Sequence, residues 1–173
     1  VEATEATGSP WAAPRGREIV LPSALEPLTW TRWAEANPPD PAEDKGIVRA
    51  YAEMLALDYL SGNVLRRSAW LDEDAHTLVL FDNASAFVAR PDKDVQARVL
   101  RKLGGFARFP RSLYDALVRF DRAAIQATFQ PGPFETWLLP PRTLVEVGER
   151  RAALVSLIDA RVLTRGEAAV FGL

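Results

Sequence analysis

Two aspartates, each accompanied by an asparagine, are the residues whose type and order fit a reaction. Asp58-Tyr59-Leu60-Ser61-Gly62-Asn63 sets a carboxylate five residues before an amide, and Leu78-Val79-Leu80-Phe81-Asp82-Asn83 ends an apolar run on a second carboxylate. Phosphoryl transfer uses such a set. One Asp orients the acceptor hydroxyl and takes its proton, while an Asn oxygen and the second Asp hold a divalent ion. That ion offsets charge on the transferring phosphate, which supplies most of the catalytic effect in this class. Oxygen donors of this kind suit magnesium or manganese better than zinc. Asp58 is therefore the expected base, and Asn63 and Asp82 are the expected metal and nucleotide ligands. The two aspartates should then converge on one cleft. Arg66 and Arg67 follow closely, placed to contact phosphate or to pair with an Asp.

Other candidates are weaker. The contiguous run Asp72-Glu73-Asp74 is an exposed turn between strand residues, and His76 beside it is a surface histidine. With one His and no Cys, the chain has little material for a Ser-His-Asp triad or a histidine metal site, and none for thiol chemistry or disulfides. Lys102, Arg108 and Arg111 form a modest basic cluster, read as a solvated helix face. A net charge of −2 predicts no general attraction to nucleic acid. No stretch approaches the roughly 18 apolar residues that a spanning helix needs.

These residues need elements to position them. At 173 residues and 48% hydrophobic, the chain is long and apolar enough for one domain with a real core. Residues 1–40 are crowded with proline and contain Trp11, Trp30 and Trp33, which reads as an irregular arm anchored by its tryptophans. Residues 41–173 form the body. Ile47, Tyr51, Met54 and Leu55 mark one stripe of a helix, and Asp58 falls in phase with it. A carboxylate pointing where the core should be needs an explanation. Ser61-Gly62-Asn63 ends that helix, and a hairpin follows, with strands at 69–71 and 77–81. Beyond Asp94 the pattern is helical throughout. One helix covers 95–103 and stops at Gly104-Gly105; a second starts near Pro110 with Leu113, Ala116, Leu117, Phe120, Ala124 and Ala127 at core spacing. After Gln130-Pro131-Gly132-Pro133 a last helix carries Leu144, Val147, Leu154, Val155, Ile158 and Val162 on one face. The expected fold is mainly α with a small β-hairpin.

The two motifs, with Arg66 after the first and Phe87 after the second, resemble the catalytic and metal-binding segments of the four-jointed kinases and related secretory-pathway casein kinases. Phe109-Pro110-Arg111-Ser112 entering a helix is also similar, so the resemblance spans about residues 45–162. It implies an atypical kinase C-lobe that uses ATP with Mg or Mn to phosphorylate a protein Ser/Thr or a sugar hydroxyl. In it Asp58 matches the catalytic Asp, Asp82 the metal-binding Asp, Asn63 the following Asn and Arg66 the Arg of Asn-x-Asp-Arg. Two positions depart from the pattern. Leu65 stands where the family has the Asp of that last motif, and Ala84 stands where a Gly often follows Asp-Asn. The lack of cysteines typical of animal secretory members points to a bacterial relative. Kinases also need a Lys for the α- and β-phosphates and a Glu to hold it. Before Asp58 the only lysine is Lys45, and no Gly-rich strand pair precedes it. The expectation is a large lobe whose nucleotide-binding half is missing, supplied separately or lost. The competing expectation is a pseudokinase or isolated lobe that docks a partner. Phosphatidylinositol 4-kinases and HipA-type kinases also carry Asp-x4-Asn and a strand-ending Asp, which leaves a third.

Overall fold

The computed structural model describes residues 16–20, 45–63, 66, 68–72, 74–75, 77–81, 83–87, 93–130 and 138–172. Its elements are β1 (Gly16–Val20), α1 (Lys45–Ser61), β2 (Ser68–Asp72), β3 (Thr77–Val79), α2 (Lys93–Gly105), α3 (Arg111–Arg119), α4 (Arg122–Phe129), α5 (Pro141–Arg165) and α6 (Glu167–Val170). This is the mainly helical lobe with a small hairpin that the sequence pattern predicts.

α1 is the central helix. Tyr51, Met54 and Leu55 are buried as the periodicity requires, and so are the flanking Val48, Ala52, Ala56 and Tyr59, leaving Arg49, Glu53 and Leu57 as an exposed stripe. So broad a buried face has neighbours packed on most of its sides. It ends in a glycine-based reversal: Gly62 adopts φ 72°, its N–H bonds the Tyr59 carbonyl, and the Asn63 N–H reaches back to the Asp58 carbonyl at 2.9 Å. That six-to-one closure is the Schellman pattern, which needs the left-handed backbone that glycine adopts at low cost.

The hairpin is β2 paired antiparallel with β3, with Trp70 opposite Val79 and Leu71 opposite Leu78. Its turn is made by Asp72, whose Oδ1 accepts the N–H groups of Asp74 and Ala75. Asp72 thus does turn work, as expected; Glu73 and His76 lie outside the described residues. The arm departs from expectation at one place. Gly16–Val20 is a strand, and it completes a three-stranded sheet ordered β1-β2-β3. Gly16 is needed there, because a Cβ would fall 2.2 Å from the Leu71 carbonyl oxygen and 2.3 Å from the Trp70 indole nitrogen. The rest of the arm, its tryptophans and the division at residue 40 lie outside the described residues.

A second departure lies in the segment after Pro110, which forms two helices. α3 stops at Phe120 and Asp121 starts α4, its carboxylate accepting the Ala124 N–H at 2.8 Å. An N-cap Asp outcompetes continued helix here because it satisfies a donor that the new first turn leaves open. In consequence Leu117 and Ile125 are the buried positions, whereas Ala116 and Ala127 are exposed.

α5 organises the lobe. Leu144, Val147, Leu154 and Ile158 are buried along it. Three of its arginines each close the carboxyl end of another helix. Arg150 donates to the Leu60 carbonyl of α1 at 2.8 Å; Arg151 donates to the Leu117 and Val118 carbonyls of α3; Arg161 donates to the Gly104 carbonyl of α2. Helix ends leave carbonyls without intrahelical partners and carry partial negative charge, so guanidinium groups suit them on both counts. One core cluster gathers α1 residues with Leu103, Phe106, Phe109, Leu154 and Ile158. A smaller one holds Ile125, Leu144 and Val147, with Phe87 and Phe129 against them.

Candidate functional site

Asp58 sits in the last turn of α1 and is 5% exposed. Its partner comes from past the reversal: Arg66 Nε lies 2.8 Å from one carboxylate oxygen and 3.0 Å from the other. The same guanidinium donates from Nη1 to the Phe81 carbonyl and from Nη2 to Asn83 Oδ1 at 2.6 Å. Arg66 thus ties the end of α1 to the chain leaving β3. Both ionic side chains are nearly closed off, at 2% and 6% exposure. Burial raises the Asp58 pKa, and the opposing pull of Arg66 and the Asn63 amide is the smaller effect. An ion pair that leaves its carboxyl easier to protonate than usual is one whose desolvation outweighs its attraction.

Asn63 is 1% exposed and is held from both sides. Its side-chain oxygen accepts the Ser85 hydroxyl, and its own N–H reaches the Ser61 hydroxyl as well as the Asp58 carbonyl. Two residues on, Phe87 has φ 60°, a left-handed backbone that a bulky side chain rarely adopts. The Phe87 N–H donates to the Ser61 carbonyl at 2.7 Å, and its ring meets Phe129 edge-on with centroids 5.5 Å apart. The turn 84–87 is therefore fastened both to the end of α1 and to the smaller core cluster, and these contacts hold a conformation that is costly by itself.

Of the expected site residues, Asp58, Asn63 and Arg66 meet in one polar knot. Asp82 and Leu65 lie outside the described residues, but Phe81 and Asn83, which flank Asp82, both bond Arg66. Asn83 and Ser85 enter the knot as well. Asn83 stood in the second motif, whereas nothing in the sequence marked Ser85. Of the basic cluster, Arg111 lies over the Phe171 ring and pairs with Asp115 and Glu167.

A nucleotide-bound divalent ion needs hard oxygen donors with free lone pairs. Here the Asp58 carboxylate is engaged by Arg66 and the Asn63 oxygen by Ser85. Among the described residues no group of three acidic or histidine side chains could hold a metal. Asp82, the other expected ligand, lies outside the described residues. Among them too, no helix is long and apolar enough to cross a membrane.

Comparison with known proteins gives no matching family model and no matching curated relative. Among solved structures, one described as hydra Fam20 with sugar superimposes with a TM-score of 0.61 at 15% identity, covering 90% of this chain and 49% of that one. The chain has a kinase-like fold. It is that of a kinase-like C-lobe, and the chain spans about half the length of the structure it matches. At this identity the likeness concerns architecture alone.

Proposed function

We propose that this kinase-like lobe does not transfer phosphate and works by docking another protein. The carrying observation is the state of Asp58. A general base must reach the hydroxyl proton it removes, and this carboxylate is buried with both oxygens on Arg66. Asp58 then acts as a brace for the turn at Gly62 and Asn63. Leu65, with no carboxylate at the position where the four-jointed pattern has one, supports the same reading. The lineage we propose is four-jointed-like, on the strength of the Asp58–Arg66 and Leu78–Asn83 motifs. The test is label transfer from radiolabelled ATP with manganese to a mixed Ser/Thr peptide pool. Background counts for wild type and Asp58→Asn alike are expected. Transfer by wild type that vanishes in Asp58→Asn overturns the reading.

One observation favours a second reading, ATP- and Mg- or Mn-dependent transfer to a protein or sugar hydroxyl. Arg66 holds the residues on both sides of Asp82 next to Asp58. In that reading Arg66 swings away, Asp58 becomes the base, and Asp82 with Asn63 takes the ion. A metal-dependent thermal shift lost in Asp82→Ala would support it.

A further inference from the structure

We propose that the open groove between α2 and α5 docks an acidic amphipathic helix of a partner protein. This rests on the docking reading and names where the docking occurs. The groove has a volume of about 480 Å³ and is lined by Ala97, Leu100, Arg101, Gly104, Gly105 and Leu157. The half-buried Leu100 and Leu157, packed on the larger core cluster, give it apolar surface, and the exposed Ala97 and Gly105 beside them carry little or no side chain. The distance between packed helix axes depends on the residues at the contact, so small residues here let an incoming helix approach while Leu100 and Leu157 meet its apolar stripe.

Gly104 lies in the last turn of α2, beside its final residue Gly105. Gly62 and Gly166 are the glycines with positive φ among the described residues, and Gly104 is not one of them. A Cβ at Gly104 would meet the Leu157 methyl at 3.7 Å, ordinary contact distance. With no side chain there, the groove stays open beside Leu157.

Charge chooses the partner. Arg98 and Arg101 are exposed one turn apart on the α2 face that carries Ala97 and Gly105. Neither forms an ion pair among the described residues. Arg161 adds a third guanidinium from the α5 side, bonded to the Gly104 carbonyl. Asp94, one turn before Arg98, is the carboxylate on this α2 face. The net positive rim favours Glu or Asp flanking the apolar stripe of the incoming helix.

The experiment is selection of the full chain against a displayed library of helical peptides with random surface positions, followed by affinity measurement on the winners. Winners with an apolar stripe flanked by Asp or Glu are expected, binding about tenfold or more weaker to Arg101→Glu and lost with Ala97→Trp, which fills the groove from an exposed position. Amide shifts of Gly104 and Gly105 should move on binding. No winners, basic or neutral winners, or winners indifferent to both substitutions overturn the proposal. So does an Ala97→Trp-sensitive self-association in sedimentation, which would make the occupant a second copy, or binding to anionic vesicles through the same arginines. The phosphate-transfer assay on the same variants separates a failure of this groove from a failure of the docking reading.

Discussion

Arg66 and Asp58 face each other across the reversal at Gly62, the guanidinium Nε shared between both carboxylate oxygens at 2.8 and 3.0 Å. Eight residues apart in sequence, they close the loop that also brings Phe81 and Asn83 to the end of α1.

Arg66→Met should destabilise the lobe by about 3–5 kcal/mol, since it leaves a buried carboxylate without its cation. Asp58→Asn should cost less, because an amide oxygen still accepts from Nε. In a double-mutant cycle the two changes should be non-additive by about 1 kcal/mol or more. Urea denaturation of the four proteins gives both numbers. Additive effects would mean that the pair does not interact.

The pH dependence follows from the raised Asp58 pKa, whose main cause is burial. A carboxyl that binds its proton more tightly folded than unfolded adds stability below its unfolded pKa, and that contribution fades as pH rises through the folded value. From the ordinary carboxyl range upward, wild type should therefore lose stability over an interval in which Asp58→Asn does not. Glu53, also raised by burial, adds to the slope in both proteins, so the difference between them isolates Asp58. Denaturation midpoints measured from mildly acidic to neutral pH decide the matter. An opposite slope would show that Arg66 dominates.

At Phe87 the usual order of glycine and alanine should invert. Both substitutions remove the ring that packs on Phe129, but only glycine relieves φ 60°. Phe87→Gly should be more stable than Phe87→Ala by about 1 kcal/mol. Thermal or chemical melts suffice, and the ordinary ranking, with alanine ahead, would refute the strain.

Asp121→Ala should cost about 1 kcal/mol through loss of the α4 cap. For a chain of this length that is roughly 2–4 °C in Tm. No change in Tm would mean that the Ala124 N–H finds another acceptor.

Much of this lobe was written in local pattern. The α1 stripe, its glycine stop, the hairpin and the long α5 face all follow from spacing and turn residues. The in-phase position of Asp58 marked a carboxylate that the core had to account for. Phosphate contact and pairing with an Asp were both open for Arg66, and the second holds because Gly62 reverses the chain and returns Arg66 to Asp58. β1 escaped the local reading for a similar reason. A strand that pairs residue 16 with residue 72 is decided by what lies beside it. The break at Asp121 was legible, since Asp before a helical run is a start signal, but the apolar spacing continued across it and masked the stop. Most hidden were the arginines of α5. Arg150 is 7% exposed in a row of apolar positions, and nothing local says that its target is a carbonyl ninety residues earlier.

That arrangement around α5 carries a consequence for how the lobe comes apart. With the ends of α1, α2 and α3 each fastened to the same rod, no one of them can fray at its carboxyl end without severing a bond to a shared support. Amide hydrogens near Leu60, Gly104 and Leu117 should then exchange with deuterium through one common opening rather than three local ones.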